Sequence, residues 1–304
     1  MRVDYEVHFE INLQCLMECI HCSSLSDNTR DELEFYLVKN RIDKLKTNSN
    51  VEVVLTGGEP LLHKNIYEIV EYLSKNTYLT TMFTTGIMSL DGKKHPDWDL
   101  LKNNGLEKVV FSLHSSDECI NDSLLRREIT KRIIDEIKKS KSIDLKVEIN
   151  CVMFDKTYRN IETTLDFLIN ELNVDKVRML RLVGQGRAKG EEKFLAPENN
   201  KIIASAPLLL KKYAGKVHFE GFPSICKCRS SLHSSARCDS GTKFFHIDFW
   251  GNILPCPSVK QKTMFSYTTI DIIENLFASI KSFNRDKEQL TDIFNCPGQS
   301  RGQA

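Results

Sequence analysis

The sequence has little net charge and lacks a long apolar run. Its 42 lysine and arginine residues are nearly balanced by 41 aspartate and glutamate residues, so the formal net charge is +1. This balance argues against bulk attraction to nucleic acid, although it leaves room for a local basic patch. No apolar stretch approaches the roughly 20 residues that cross a bilayer, and residues 1–5 contain no apolar signal core. We therefore expect a soluble, cytoplasmic protein with no membrane or nucleic-acid partner.

The composition also argues against a disordered chain and against a disulfide-rich secreted domain. Hydrophobic residues make up 41% of the chain, which is enough for a sizeable core. The 304 residues allow one large α/β domain with an appendage, or two domains. Ten cysteines occur without a secretion signal. They therefore indicate a reducing compartment and metal ligation.

Three of the cysteines lie close together near the start of the chain. Cys15, Cys19 and Cys22 follow a predicted strand over residues 5–13, at spacings of four and three residues. An odd number of closely spaced thiols is poorly suited to disulfides, whereas crowded thiolates suit a single soft-metal centre. Three thiolates can hold three irons of a 4Fe-4S cluster and leave the fourth iron for a small molecule. A zinc site formed by the same cysteines and His21 is the alternative.

This Cys-x3-Cys-x2-Cys pattern after an apolar strand resembles the radical S-adenosylmethionine (SAM) superfamily. In that family the open iron of the 4Fe-4S cluster binds the amino and carboxylate groups of SAM. One electron then cleaves SAM to methionine and a 5′-deoxyadenosyl radical, which abstracts a hydrogen atom from the substrate. The residue before the third cysteine, here His21, packs near the adenine in relatives. The resemblance also implies an electron donor such as flavodoxin or ferredoxin.

A second motif follows the next predicted strand, over residues 51–55. Gly57 and Gly58 permit unusual backbone angles and the close approach of a ligand. Glu59 can accept hydrogen bonds from an ammonium group, and Pro60 suits the entry to a turn or helix. A tight structural loop is the alternative. Because it follows the cysteine motif in the expected order, the segment resembles the family motif that binds the SAM amino group.

The rest of the first two-thirds of the chain predicts alternating strands and helices. Further strands are expected over residues 79–84, 108–113, 144–153 and 176–182. One helix is expected from Cys119 to about residue 140. Such alternation predicts an α/β fold with a parallel sheet and outer helices. The family resemblance implies a partial (β/α)6 barrel that is open on one side for the substrate.

Polar and apolar residues at the ends of these strands are further candidates for contacts with SAM. Relatives place comparable residues around the SAM pocket, and strand alternation puts Ser112 and His114 on one face. An ordinary loop residue is the alternative for Thr84, and a strand-end cap or a substrate contact for His114. Arg181 or Arg187 could bind the SAM carboxylate or an anionic substrate, or be solvated. The candidates are Thr84, Ser112, His114, Asn150, Arg181, Leu182 and Val183.

The composition changes in the last third of the chain, where a second group of cysteines surrounds a predicted hairpin. Residues 244–248 and 252–254 flank a turn at Trp250 and Gly251, which indicates a β-hairpin. One metal centre could bridge the thiols at its two outer ends, and a zinc knuckle is the alternative. The cysteines of this region are Cys226, Cys228, Cys238, Cys256 and Cys296.

The segment from Cys238 to Cys256 resembles the auxiliary-cluster extensions, called SPASM or twitch domains, of many radical SAM enzymes. In those extensions a glycine lies five residues before the second cysteine, as Gly251 does here. Only Cys296 follows, which indicates the shorter version with one auxiliary iron–sulfur cluster. Its fourth ligand stays open between Cys226, Cys228 and the substrate. We predict a radical SAM barrel over residues 1–215 and a small auxiliary-cluster domain of hairpin and helix over residues 216–304.

These patterns together predict a radical SAM oxidoreductase or maturase with no assigned catalytic side chain. Two substrate classes are equally favoured, a ribosomally made peptide and a small polar metabolite. Oxidation, cross-linking and cyclisation are all open as outcomes. Two alternatives from other classes are a non-catalytic iron–sulfur carrier or regulator and a zinc-binding interaction module.

Overall fold

The computed structural model describes residues 3–29, 31–45, 50–76, 78–191, 197, 199–221 and 243–254. Within these ranges the chain forms one mixed sheet with helices packed against it. The strands are β1 (Tyr5–Asn12), β2 (Val51–Gly57), β3 (Leu79–Thr84), β4 (Leu106–Ser112), β5 (Lys146–Met153), β6 (Lys176–Arg181), β7 (Val217–Glu220), β8 (Phe244–Ile247) and β9 (Ile253–Leu254).

The strand order is β7-β6-β5-β4-β3-β2-β1-β8-β9. Neighbouring strands from β7 to β8 run parallel, and only β8 and β9 pair antiparallel. Because helices connect the successive strands β1 to β6, the predicted α/β fold with a parallel sheet is confirmed. None of the helices in the described ranges combines the length and apolarity that a bilayer crossing requires.

Eight α-helices lie in the described ranges, and one prediction about them is wrong. The single helix expected from Cys119 to about residue 140 is two helices, because Arg126 adopts a left-handed conformation that ends the first. The Asp122 carboxylate then accepts hydrogen bonds from the Ile129 and Thr130 main-chain N–H groups at the start of the second. The helices are α1 (Phe35–Asp43), α2 (Ile66–Lys75), α3 (Trp98–Asn103), α4 (Glu118–Leu125), α5 (Thr130–Ser142), α6 (Asp155–Tyr158), α7 (Ile161–Asp166) and α8 (Asn199–Lys212).

The two faces of the sheet differ in chemistry because side chains alternate along each strand. In β1, Val7, Phe9 and Ile11 are at most 3% exposed and belong to the apolar core shared with the helices. The intervening residues, such as Glu6 and His8, face the other way. This alternation gives the sheet an apolar face toward the helices and a polar inner face.

Charged side chains on the inner face form ion pairs between strands, either with a neighbouring strand or across an intervening one. Lys108 Nζ lies 2.6 Å from Glu52 Oε1, and Arg178 Nη2 lies 2.8 Å from Glu148 Oε2. Buried charges are costly unless they are paired and hydrogen-bonded. These pairs therefore allow a charged layer to fill the end of the sheet where the strands begin. The candidate site residues lie at the opposite, carboxyl end of the strands.

The predicted hairpin is confirmed, and it extends the main sheet. β8 pairs with β1, and β9 then folds back on β8. Arg41 on α1 donates a 3.0 Å hydrogen bond to the Phe249 carbonyl in the turn. The Phe249 N–H in turn donates to Glu10 on β1, at 3.1 Å. The described strands of the predicted second domain thus continue the first domain's sheet, and the boundary at residue 215 stays a prediction.

Candidate functional site

The first three cysteines lie in one loop at the carboxyl end of β1, which we call the cysteine loop (residues 13–27). The Cys15 N–H donates to the Asp27 carbonyl at 2.6 Å, which closes the base of the loop. The Glu18 and Ile20 N–H groups donate to carbonyls at the end of α4, at 3.2 and 3.0 Å. The loop is therefore held by main-chain hydrogen bonds although it contains no regular helix.

Two of the thiols are in surroundings that disfavour an isolated thiolate. Burial, reinforced by the nearby Glu59 carboxylate, raises the pKa of Cys15 well above its usual range. Burial also raises the pKa of Cys19 to about 12, although the Arg187 guanidinium acts in the opposite direction. Metal ligands must be deprotonated thiolates. A cationic centre bound by all three sulfurs would provide the charge that stabilises them in this form.

Within the described ranges, no three His, Cys, Asp or Glu side chains are grouped as they would be around a single metal ion. Around one zinc ion, a bond length of 2.3 Å and tetrahedral geometry place the sulfurs only about 3.8 Å apart. An iron–sulfur cluster is larger than one ion and separates its thiolate ligands more widely. A zinc ion and a cluster therefore differ in the thiolate spacing that they require.

Glu59 lies at the carboxyl end of β2 and is 1% exposed. Its Oε2 accepts hydrogen bonds from the Thr85 N–H at 2.7 Å and the Thr85 hydroxyl at 2.6 Å. Its Oε1 accepts from the Thr84 hydroxyl and from the Leu61 N–H. Burial raises the pKa of Glu59, while these hydrogen bonds oppose the rise. Thr84, for which SAM contact and an ordinary loop position were the two alternatives, holds this carboxylate together with Thr85, and its contact with SAM stays a prediction.

The glycine pair before Glu59 allows two backbone segments to touch. Gly57 has a φ of +134°, and a Cβ added there would collide with the Asn12 carbonyl oxygen. A Cβ on Gly58 would collide with the Gln14 carbonyl oxygen. The unusual backbone angle expected of the pair is therefore observed at Gly57. The close approach is made by the base of the cysteine loop, a partner that the sequence pattern alone did not identify.

Pro60 opens a short 3-10 turn, Pro60–Leu62, as expected from its position in the motif. The Glu59 N–H donates to the Gln14 carbonyl at 2.7 Å, and the Asn12 side-chain amide donates to the Glu59 carbonyl at 2.8 Å. The motif is consequently locked to the start of the cysteine loop. Two elements that are separate in sequence therefore form one surface.

His21 and His114 meet edge to face, with ring centroids 4.7 Å apart, and both rings contact Phe154. Burial lowers the pKa of His21 to about 4 and the pKa of His114 well below its usual value. The Nδ1 atom of His114 accepts a hydrogen bond from the Val152 N–H at 3.2 Å. The proton of the neutral ring is therefore on Nε2. The structure thus brings together two candidates that are 93 positions apart in the sequence.

Several buried polar atoms at this edge of the sheet have no hydrogen-bond partner within the described part of the chain. Such atoms are costly unless a ligand or water satisfies them. They include both donors and acceptors, so they fit a polar ligand such as SAM. They are Asn12 Oδ1, His21 Nδ1, Ser26 Oγ, His114 Nε2, Asn150 Oδ1 and Gln185 Oε1.

The remaining candidates lie at the ends of β4 to β6. Ser112 and Asn150 are directly paired in register on neighbouring strands. Leu182 is 4% exposed and packs in a small apolar cluster with Phe154 and the loop residue Ile20. Val183 follows in the β6 loop, where its carbonyl accepts from the Gln185 N–H at 2.8 Å.

Arg181 and Arg187 have different surroundings. Arg181 ends β6 beside Gly221, where an added Cβ would lie 3.1 Å from the Arg181 Cβ. Arg187 donates to the main-chain carbonyls of Cys19 and Ser26, at 2.7 and 2.9 Å. In this structure the Arg187 side chain therefore contacts the cysteine loop itself, a role that sequence analysis missed.

Sequence reasoning also missed Asn12, Ser26 and Gln185. Asn12 carried a usable signal, since it is a polar residue at the carboxyl end of β1, directly before the cysteine loop. The second group of cysteines, Cys226, Cys228, Cys238, Cys256 and Cys296, lies outside the described residues. The prediction of an auxiliary cluster therefore rests on the sequence.

Two curated relatives share part of the chain. The probable GTP 3′,8-cyclase of Sulfolobus acidocaldarius is 26% identical over 180 residues, which cover 57% of this chain and 55% of the relative. The S-adenosylmethionine-dependent nucleotide dehydratase of Selenomonas ruminantium is 26% identical over 190 residues, which cover 59% of this chain and 66% of the relative. The matches thus span somewhat more than half of each relative.

Solved structures share the fold at low sequence identity. Streptococcus suis SuiB bound to S-adenosylmethionine superposes with a TM-score of 0.70 at 18% identity, covering 92% of this chain and 68% of that chain. The native anSMEcpe structure with bound AdoMet and Cp18Cys peptide gives a TM-score of 0.68 at 13% identity, covering 93% and 82%. The family model described as the radical SAM superfamily matches residues 10–168. This match contains the cysteine loop and the glutamate motif and spans more than half of the sequence, so the chain belongs to the radical SAM superfamily.

Proposed function

We propose that this protein is a radical SAM enzyme that abstracts a hydrogen atom from a peptide or a small polar metabolite. The observation that carries the proposal is the convergence of three features at one edge of the sheet. These are the three-cysteine loop, the buried Glu59 carboxylate and the buried polar atoms without partners. Each occurs in many proteins, but together they provide ligands for a cluster and polar partners for SAM.

The cysteine loop would supply the three thiolates of a 4Fe-4S cluster, through Cys15, Cys19 and Cys22. When bound and reduced, this cluster supplies the electron that cleaves SAM to a 5′-deoxyadenosyl radical. The raised pKa values of Cys15 and Cys19 agree with sulfurs that need a cationic centre to remain deprotonated. The match of residues 10–168, which contain all three cysteines, to the radical SAM family supports iron as the metal.

Glu59 and the backbone of Gly57 and Gly58 would orient the amino end of SAM. The carboxylate already accepts four hydrogen bonds from the protein, which is about its full capacity. An ammonium group would therefore share one oxygen with these donors or displace a threonine hydroxyl. In both cases the negative charge of the buried carboxylate is the feature that favours a cation there.

The adenosine end of SAM would lie against the ends of β4 to β6. His21 and Leu182 provide aromatic and apolar surface, and His114 Nε2 and Asn150 Oδ1 provide a donor and an acceptor. Ser112 is adjacent to Asn150 in register. This set can satisfy both the flat base and the hydroxyl groups of a nucleoside.

An auxiliary iron–sulfur cluster in the carboxyl-terminal region is part of the proposal. In sequence, Cys238 precedes β8 and Cys256 follows β9 by two residues. Glu10 Oε1 accepts from the Ser24 hydroxyl of the cysteine loop at 2.7 Å, and Glu10 Oε2 accepts from the Phe249 N–H at 3.1 Å. One carboxylate thus joins the first cysteine loop to the hairpin between the later cysteines.

Different comparisons support the two substrate classes. Solved structures of SuiB with precursor peptide SuiA and of anSMEcpe with bound peptides support a peptide. The curated relatives named for GTP cyclisation and nucleotide dehydration support a small polar metabolite. A nucleoside triphosphate would need several cationic partners. Arg187 and Arg127 lie beside the cysteine loop, where each donates to a backbone carbonyl. Peptides and nucleotides are therefore both tested.

The test combines metal analysis with isotope transfer. The anaerobically reconstituted protein should contain iron and sulfide in cluster proportions and no stoichiometric zinc. Deuterated candidate peptides, taken from neighbouring genes, and deuterated nucleotides are then incubated with SAM and dithionite. Deuterium in the 5′-deoxyadenosine identifies the substrate class. Stoichiometric zinc without iron would instead support the zinc-binding module.

A further inference from the structure

The loop after β6 lies directly on the cysteine loop. Gly186 has a φ of +57°, and a Cβ added there would collide with the Cys22 carbonyl oxygen. The Arg187 N–H donates to the same carbonyl at 3.1 Å. Glycine is therefore required at residue 186 for the two loops to be in contact. The contact places the next side chain, Arg187, against the backbone that carries the cysteines.

The Arg187 guanidinium joins two points of the cysteine loop on either side of Cys22. Its Nε donates to the Cys19 carbonyl at 2.7 Å and its Nη1 donates to the Ser26 carbonyl at 2.9 Å. A planar guanidinium presents its donors in a fixed fork, whereas a lysine ammonium is a single point on a flexible stem. Arginine is therefore better suited than lysine to hold both carbonyls in fixed directions. The fork therefore fixes the curvature of the segment between Cys19 and Ser26.

A second arginine, Arg127, contacts the other flank of the loop, but its side chain is paired with a carboxylate. Arg127 Nε donates to the Leu16 carbonyl at 3.1 Å, and Arg127 Nη2 is paired with the Glu18 carboxylate. The positive charge of Arg127 is thus neutralised by a neighbour on the same loop. In the described part of the chain, the Arg187 side chain instead donates to two neutral carbonyl oxygens, and its charge adds to the hydrogen bonds that lower the pKa of the Asp27 carboxyl on the same loop. The Arg187 charge acts on the cysteine loop itself, because it opposes the rise that burial causes in the pKa of the Cys19 thiol.

Reduction adds an electron to a cluster that three thiolates already make anionic. A fixed positive charge nearby stabilises the reduced state more than the oxidised state, because the attraction grows with the negative charge. Net charge and hydrogen bonding around the sulfurs are among the factors that set cluster potentials. A cation held against the cysteine backbone should therefore raise the reduction potential.

We propose that Arg187 is a positioning residue that shapes the cysteine loop for cluster binding and raises the reduction potential of the bound cluster. The inference rests on the proposed function, because it requires a 4Fe-4S cluster on Cys15, Cys19 and Cys22. The Arg187 side chain would make two separate contributions. The fork geometry controls how well the cluster is bound, and the charge controls how easily it is reduced.

Three variants of the full chain separate these contributions. Arg187→Lys keeps the charge but loses the fork, and Arg187→Gln loses both. Lys189→Gln removes a positive charge from an exposed position of the same loop and is the matched control. Each variant is reconstituted anaerobically, iron and sulfide per chain are measured, and the midpoint potential is determined by EPR-monitored redox titration. The signal of the first cluster is identified as the one that is lost in Cys19→Ala.

We expect Arg187→Lys to bind the cluster about 10-fold more weakly or worse, as is usual when a residue supporting a metal ligand is lost, with a nearly unchanged potential. Arg187→Gln should show the same loss together with a more negative potential. Lys189→Gln should match the wild type in both measurements. Wild-type iron content and potential in Arg187→Gln would overturn the proposal. If Arg187→Gln does not fold, wild-type cluster binding by Arg187→Lys would overturn the positioning role.

The outcome is distinguishable from a failure of the proposed function. If the wild-type chain forms no iron–sulfur cluster under the same conditions, the proposed function fails before Arg187 is tested. If the wild type forms the cluster and cleaves SAM while the Arg187 variants are indistinguishable from it, only the role of Arg187 fails.

Discussion

Thr85 donates two hydrogen bonds to the same oxygen of the Glu59 carboxylate, one from its main-chain N–H at 2.7 Å and one from its hydroxyl at 2.6 Å. The two residues are 26 positions apart in sequence and lie at the ends of neighbouring parallel strands. A buried carboxylate with fixed donors keeps its position before any ligand arrives. The orientation of the proposed SAM amino group would therefore depend on β3 as well as on the glutamate motif.

Replacing Thr85 with valine should weaken both the fold and SAM binding. The variant leaves one oxygen of a buried carboxylate with a single donor, which should lower the free energy of unfolding by about 1–3 kcal/mol. Urea denaturation of Thr85→Val and of the exposed control Thr163→Val measures the difference. Equal stability of the two variants would show that the hydroxyl contributes little to holding Glu59.

Replacing Glu59 with alanine should reduce SAM affinity by about 1.5–3 kcal/mol, since an ammonium group loses a charged acceptor. Isothermal titration of the reconstituted protein with SAM measures this effect. Glu59→Gln provides the matched control, because it keeps the volume and removes the charge. Unchanged affinity in both variants would remove Glu59 from the SAM site.

His114 should remain neutral with its proton on Nε2. Its Nδ1 accepts a main-chain hydrogen bond, and burial holds its pKa well below the usual 6.5. NMR of histidine labelled with nitrogen-15 should therefore show one neutral tautomer at pH 6.5. An imidazolium signal assigned to His114 at that pH, by comparison with His114→Phe, would contradict the structure.

Glu6 provides a prediction about stability and pH. Burial would raise its pKa, but its hydrogen bond and ion pair with His8, together with other cations, lower the pKa from 4.5 to about 2. Because the folded pKa is the lower one, the ionised carboxylate contributes stability above pH 4.5 that is lost as the pH falls toward 2. The side chain is 30% exposed, so we expect a contribution on the order of 1–2 kcal/mol.

The measurement is urea denaturation of the wild type and of Glu6→Gln at several pH values between 3 and 6. The two proteins differ by one ionisable side chain, so the pH dependence of the difference in their free energy of unfolding reports on Glu6. The wild type should be the more stable protein at pH 6, and the difference should shrink as the pH decreases. A difference that is constant over this range would mean that Glu6 is not selectively stabilised in the folded state.

Replacing Cys256 with alanine should remove about one iron–sulfur cluster per chain and leave SAM cleavage largely intact, if the second cysteine group binds a cluster. Iron and sulfide analysis of the reconstituted protein measures the loss. Cys119→Ala is the matched control, because Cys119 is an exposed thiol on α4. Equal iron content in the two variants would refute the auxiliary cluster.

Much of the fold could be predicted because it depends on local patterns. The apolar strands from β1 to β6 and the position of the cysteine loop at the end of β1 follow from burial and alternation. The break between α4 and α5 did not, because it depends on a left-handed Arg126, a conformation that few residues other than glycine adopt. Asp122, which caps the start of α5, could not indicate the break either, because it lies within α4 and looks like an ordinary helix residue in the sequence.

The contacts that shape the site were harder to predict because they join distant segments. Arg187 reaches the Cys19 carbonyl across 168 positions, and main-chain acceptors leave no trace in side-chain patterns. Thr84 and Thr85 were recognisable as polar strand-end residues, but not as partners of Glu59. By contrast, His21 and His114 were recognisable as candidates, because His21 lies within the cysteine motif and His114 follows a predicted strand, and the structure brings their rings together.

The most direct test of the central claim is the formation of 5′-deoxyadenosine by the anaerobically reconstituted protein with dithionite and SAM. This product should appear with the wild type and be absent with Cys19→Ala, since the cluster then loses one of its three ligands. A wild-type protein that carries an intact 4Fe-4S cluster and yet produces no 5′-deoxyadenosine above the Cys19→Ala background would contradict the account.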